Sequence, residues 1–217
     1  MNAIAFLFDM DGVLIDSNPF HKIALKDFCK KYGQDLSEEQ LHAKIYGRTN
    51  RDWITNVFGV LPETQLKAYA NEKEQLFRDI YQNHVQPLNG LISFLDQLDV
   101  YTIKRAIATS APRANVDFTL KYTSIGPYFD TILDESFVSK GKPDPEIYLK
   151  TAAALGFDPK MCVVFEDSLS GVAAGKAAGC KVVGISTTHS ASELHESDFV
   201  MPDFEGINAL SLIKKLF

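Results

Sequence analysis

The residues of this chain best equipped for chemistry are acids that end apolar runs. Residues 6–17 read Phe-Leu-Phe-Asp-Met-Asp-Gly-Val-Leu-Ile-Asp-Ser, so Asp9 and Asp11 follow an apolar stretch directly and Gly12 comes next. A run this apolar reads as a strand buried on both faces, as in a parallel sheet, and open α/β sheets bind ligands at the carboxyl ends of their strands. Two carboxylates crowded there repel each other, so a cation, a proton or a substrate must balance them. A second pair, Glu166 and Asp167, follows the apolar run 161–165. Asp9, Asp11, Glu166 and Asp167 around one crevice call for a hard cation. Carboxylates, a carbonyl and waters suit Mg²⁺, which commonly also binds substrate phosphate. Asp11-Gly12 also reads as turn punctuation and Asp167-Ser168 as a helix cap, a role compatible with metal binding.

Two further segments end strand-like runs. Thr109-Ser110 follows Ala-Ile-Ala at 106–108 and precedes Pro112, which suits a helix start. A hydroxyl beside free N–H groups there is an anion site, or an ordinary cap. Ser139-Lys140-Gly141-Lys142-Pro143-Asp144-Pro145 follows the run 129–133. Pro143 biases Lys142 toward an extended conformation and Pro145 starts a helix, which aims a fixed positive charge, or leaves a solvated basic loop. Gly171-Val-Ala-Ala-Gly175-Lys176 lacks the spacing and the hydroxyl of a phosphate loop and falls inside a helix, where small residues permit close packing.

The elements that must position these groups are legible. Apolar runs at 4–8, 106–108, 129–133, 161–165 and 181–185, with a weaker one at 198–201, alternate with helical stretches from residue 88 onward, the pattern of βα units in a parallel sheet. Pro112, Pro145 and Ser168 mark helix starts, and Gly156 and Gly179 mark helix ends. Between the first strand and residue 87 only helical periodicity remains: Phe20, Ala24, Phe28 and Tyr32 share a face, Ser37 to Gln40 has capping-box spacing, and Pro62 opens a helix to about Tyr81. This predicts a helical insertion with hinges near 15–19 and 85–90.

At 217 residues the chain suits one or two domains with a substantial core. A net charge of −6 argues against nucleic-acid or anionic-membrane binding. Cys29, Cys162 and Cys180 lack CxxC spacing, Cys162 and Cys180 sit in apolar runs and read as reduced core thiols, and the first apolar run stops at Asp9, too short for a signal peptide or a span. The expectation is a cytoplasmic protein, a monomer or weak homo-oligomer, with no nucleic-acid or membrane partner.

Together these stations resemble the haloacid dehalogenase-like (HAD) superfamily. The resemblance rests on Asp9 to Ser17, on Thr109, on Lys142-Pro143-Asp144-Pro145, and on Glu166-Asp167-Ser168 with Gly171, in order and at strand ends over nearly the whole chain. It implies an α/β fold: a doubly wound, parallel-sheet, Rossmann-like core over 1–16 and 88–217, with an inserted α-helical cap over 17–87. The cap is similar to that of the subfamily containing β-phosphoglucomutase and phosphoglycolate phosphatase. The resemblance makes Asp9 the nucleophile that forms an aspartyl phosphate, and Asp11 the general acid and base. Asp9, Asp11 (through its carbonyl), Glu166 and Asp167 would hold Mg²⁺, while Thr109 and Lys142 hold phosphoryl oxygens. Gly12, Ser110 and Ala111 would line the substrate position, and the cap would add His21, Gly47, Arg48, Asn50, Arg51 and Lys73 as it closes and excludes water.

The dehalogenases of the superfamily lack an acid two residues after the nucleophile, so Asp11 points to phosphate chemistry. In mutases an arginine three residues after the cap glycine grips the distal phosphate, whereas that register gives Asn50 here, with Arg48 and Arg51 on either side. The expected activity is Mg²⁺-dependent hydrolysis of a small phosphorylated metabolite, a sugar phosphate in particular. The alternatives are a β-phosphoglucomutase-type phosphotransferase and a non-catalytic binding protein of the same fold.

Overall fold

The computed structural model describes residues 3–46 and 48–217. The chain divides into two compact units: one ends its first segment at Asp16 and resumes over Val85–Phe217, and the other is Ser17–His84.

In the larger unit, β1 (Ala5–Phe8) opens the chain. The smaller unit follows as α1 (Asn18–Lys31), α2 (Glu38–Lys44), α3 (Asn50–Phe58) and α4 (Glu63–Tyr81). The larger unit then resumes with α5 (Leu91–Val100), β2 (Lys104–Ala108), α6 (Arg113–Thr123), β3 (Thr131–Leu133), α7 (Glu146–Leu155), β4 (Cys162–Glu166), α8 (Leu169–Ala177), β5 (Lys181–Ile185), β6 (Phe199–Met201) and α9 (Ala209–Leu216). All strand pairs are parallel, in the order β3-β2-β1-β4-β5-β6. The chain winds outward from β1 through β2 to β3, then crosses to β4 on the other side of β1. The crevice beyond β1 and β4 is therefore the topological switch point, where such sheets bind ligands.

Both faces of β1 are buried, which explains its unbroken apolar run. Phe6 and Phe8 join Phe94, Phe165 and Phe204 in an aromatic cluster, with Phe8 stacked on Phe165 at 4.5 Å between ring centroids. Ala5 and Leu7 pack on the opposite face with Val164, Tyr148, Ala152, Val172 and Ala174. Gly175 lets α8 lie against the sheet, because a Cβ there would stand 2.8 Å from Val182 Cγ2. The small residues of this segment serve packing, as their place inside a helix predicts.

Helix ends follow local chemistry. Ser168 caps α8 by accepting from the Gly171 N–H at 3.0 Å, and Gly156 ends α7 in the left-handed region. Ser37 and Gln40 form the expected capping box on α2. Ser110 does not cap α6, because Pro112 occupies the cap position and leaves that hydroxyl outside the first turn.

The unit Ser17–His84 has its own core of Leu25, Phe28, Leu41, Ile45, Trp53, Ile54 and Leu66, with Tyr32, Phe58 and Tyr69 packed on it. Its described residues form helices and connecting turns, with no strand. The three cysteines are buried and free. Among the described residues no helix is long and apolar enough to cross a membrane.

Candidate active site

The register of β1 on β4 sets Phe8 beside Phe165, so the next residues, Asp9 and Glu166, emerge level with each other at the switch point. The Asp9 N–H extends the ladder by donating to the Phe165 carbonyl at 3.0 Å. Past Asp9 the chain must turn sharply, and Gly12 adopts φ 73° to do so.

Lys142, carried on the segment between β3 and α7, joins these strand ends. Its Nζ donates to Asp9 Oδ1 at 2.9 Å and Glu166 Oε1 at 2.5 Å, and lies 3.5 Å from the Ala108 carbonyl at the end of β2. The side chains of Lys142, Asp9 and Glu166 are 7%, 11% and 0% exposed, so this pairing stands largely out of water. Glu166 Oε1 also accepts from the Tyr148 hydroxyl at 2.6 Å. Its Oε2 accepts from the N–H groups of Asp167 and Ser168 and from the Ser168 hydroxyl. A carboxylate with this many donors is fixed in place.

Gly171 makes the arrangement sterically possible. A Cβ there would lie 1.9 Å from the Glu166 carboxyl group, so only a glycine lets the first turn of α8 approach this acid. Asp167 accepts from the Thr188 hydroxyl, and one carboxylate oxygen each from Asp9, Glu166 and Asp167 falls within 4.8 Å of the others.

Thr109 ends β2 and is buried. Its N–H donates to the Leu133 carbonyl, and its Oγ1 accepts from the Ala111 N–H at 3.1 Å. With an acceptor position so used, the hydroxyl proton remains available to an incoming anion.

Burial pushes the Asp9 carboxyl up to about 7, with Glu166 and Asp11 adding to the rise against the opposing pull of Lys142. Burial, Glu166 and Asp9 likewise hold Asp167 well above the usual aspartate range. Glu166 differs: burial raises it, but Lys142, Tyr148 and the Ser168 N–H outweigh that and hold it below the ordinary value. Lys142 stays above the usual lysine range, because Asp9 and Glu166 outweigh its burial. One lysine thus faces a set of acids that cannot all ionise without more positive charge. Hard oxygen donors within reach of one another and short of cationic charge fit a divalent ion such as Mg²⁺.

The structure thus brings Asp9, Lys142, Glu166 and Asp167 together around the ends of β1 and β4, with the Ala108 carbonyl that precedes Thr109 within reach of Lys142. Ser110 is exposed and Ala111 buried in the turn before α6. The other candidates belong to the helical unit. Lys73 Nζ sits 3.0 Å from His21 Nδ1 and 2.9 Å from Glu74 Oε1, and His21 stacks on Phe77. Asn50 donates to Glu74 and accepts from the Trp53 indole N–H. Arg48 donates to the Ala43 carbonyl and Arg51 pairs with Glu63. Gly47 lies outside the described residues.

Sequence reasoning missed Tyr148, Thr187 and Thr188. Tyr148 and the threonines carry no spacing signature. Gly171 belongs to the motif that begins at Glu166, but the close packing on the Glu166 carboxyl group that requires a glycine there is not written in the pattern.

A protein-family model described as haloacid dehalogenase-like hydrolase matches residues 6–185. The chain is 35% identical over 180 residues to a phosphorylated carbohydrates phosphatase of Thermotoga maritima, covering 81% of each chain. It is 30% identical over 207 residues to hexitol phosphatase A of Escherichia coli, covering 95% of this chain and 94% of the relative. Among solved structures, a HAD hydrolase of family IA, variant 3, from Entamoeba histolytica superposes with a TM-score of 0.91 at 31% identity, covering 98% of this chain and 99% of that one. A family match that runs from β1 through β5, and so takes in every strand end described above, leads to one conclusion: this chain belongs to the haloacid dehalogenase-like hydrolases.

Proposed function

We propose that the protein is a Mg²⁺-dependent phosphohydrolase of a small phosphorylated metabolite, with a sugar or polyol monophosphate as its substrate class. The observation that carries this reading is the buried Asp9–Lys142–Glu166 ion cluster at the switch point, with Asp167 beside it. The names of the relatives support the substrate class.

Phosphoryl transfer demands mainly positioning and charge neutralisation. Asp9 attacks phosphorus, forming an aspartyl phosphate as the bond to the leaving oxygen breaks. Asp11 protonates that oxygen, then takes a proton from the water that attacks the aspartyl phosphate, which releases inorganic phosphate and restores Asp9. Lys142 and the Thr109 hydroxyl hold the phosphoryl oxygens. Asp9, Asp167 and the Asp11 carbonyl, supported by Glu166, would hold the cation, which supplies charge neutralisation between Asp9 and the anionic substrate. Asp9 then stays in the ionised form that attack requires.

We assign the unit Ser17–His84 the role of a specificity cap. Its candidate cations are already engaged: Arg48 with a backbone carbonyl, Arg51 with Glu63, and Lys73 with Glu74. A second phosphate on the substrate would have to displace those partners. This balance supports a monophosphate hydrolase over a mutase that handles a bisphosphate.

The test is phosphate release from a panel of sugar and polyol monophosphates with and without Mg²⁺. The expected result is Mg²⁺-dependent inorganic phosphate. Glucose 6-phosphate formed from β-glucose 1-phosphate with a trace of glucose 1,6-bisphosphate would instead assign a mutase. No product from any ester would assign a binding protein.

A further inference from the structure

Two consecutive hydroxyls beyond β5 reach two different segments of the acidic site, the turn after β1 and the acid after β4. Thr187 Oγ1 donates to the Gly12 carbonyl at 2.6 Å, in the turn that follows Asp9 and Asp11. Thr188 Oγ1 donates to Asp167 Oδ2. β5 does not neighbour β1, since β4 lies between them, so this loop spans the carboxyl end of β4 to touch the first motif.

The loop that carries them is anchored rather than adaptable. The Ser186 N–H donates to the Met201 carbonyl at 2.9 Å, and the Asp198 N–H donates to the Val182 carbonyl at 2.8 Å. Leu194 is buried in the cluster that contains Val164 and Val182. Gly184 lets this segment close on β5, because a Cβ there would meet Ser197 Oγ at 2.8 Å and Leu194 Cβ at 3.3 Å. A hydroxyl on such a platform holds its partner in a defined place. With one oxygen of Asp167 engaged, the direction of the other is set.

We propose that Thr187 and Thr188 are positioning residues for the divalent-cation site, holding the turn after Asp9 and the Asp167 carboxylate at the separation that admits a hard cation. The inference rests on the metal-dependent reading above and adds residues that none of the sequence motifs contains. Partners that orient ligating carboxylates commonly contribute 10–100-fold in metal affinity.

The test compares wild type with Thr188→Val and Thr188→Ser in the full chain, by calorimetric titration with Mg²⁺ and by the paramagnetic signal of free Mn²⁺. Thr188 is exposed, so exchanging its hydroxyl for a methyl opens no core cavity, and thermal midpoints should agree closely. The expected result is cation affinity weakened roughly tenfold in Thr188→Val and held within about twofold in Thr188→Ser. Unchanged affinity in Thr188→Val, equal weakening in both variants, or a wild type that binds neither cation would overturn the inference. Binding is read without substrate. The expected pattern in a protein that hydrolyses no phosphate ester would therefore defeat the phosphohydrolase reading and leave this one standing.

Discussion

At the scale of single residues, the site depends on Lys142. It places one positive charge between Asp9 and Glu166 where little water reaches. Removing one partner of a buried pair leaves its acids uncompensated and costs about 3–5 kcal/mol. Lys142→Met should therefore lower the unfolding free energy by that order at neutral pH, with a matching fall in the urea midpoint, and abolish phosphate release. An unchanged midpoint in a urea titration would show that the lysine does not balance those acids. The groups of this scale that sequence made visible are mostly the ones that end strands: Asp9, Glu166 and Asp167 stand out because charge seldom follows directly on an apolar run, and Lys142 because it lies between Gly141 and Pro143 ahead of a helix start. Tyr148 did not stand out, since an aromatic residue in a helix reads as core. It is core, yet its hydroxyl holds the same Glu166 oxygen as Lys142 does.

At the scale of elements, the approach of α8 to the end of β4 decides the geometry. Alanine favours a helix interior over glycine by about 1 kcal/mol, so Gly171→Ala would be expected to stabilise an isolated helix. Here the added Cβ meets the Glu166 carboxyl group, and either that acid or the first turn of α8 must shift. The expected outcome is a fall in kcat/KM of at least about tenfold, since small misplacements of catalytic groups are costly. Full activity in Gly171→Ala would remove Glu166 placement from the account. Strand positions were legible to within a few residues, and the discrepancies have a physical source. β2 begins at Lys104, earlier than its apolar run. Arg105 is buried inside the strand by pairing with Asp99 and with the Tyr128 carbonyl, compensation that composition alone does not reveal. In the helical unit, the four-residue spacing of Phe20, Ala24, Phe28 and Tyr32 predicts a helix, and α1 carries the first three with Tyr32 at its C-cap. The link from Asn50 through Glu74 to Lys73 was not legible, because it joins α3 to α4 rather than neighbours in sequence.

At the scale of the whole molecule, a doubly wound sheet gathers segments far apart in sequence at one rim, and Asp9 meets Lys142 only through that topology. The chain carries a net charge of −6, yet this cluster includes a buried lysine, so overall charge says little about which substrates it accepts. The central claim is that Asp9 takes the phosphoryl group. Its most direct test is to mix enzyme, Mg²⁺ and a reactive phosphate ester, quench in acid within one turnover, and locate the modification by peptide mass spectrometry. The account predicts one phosphoryl group on the peptide containing Asp9, absent when Mg²⁺ is withheld and absent in Asp9→Asn. Phosphate released at the normal rate by Asp9→Asn, or a phosphoryl group found on any other residue, would contradict it.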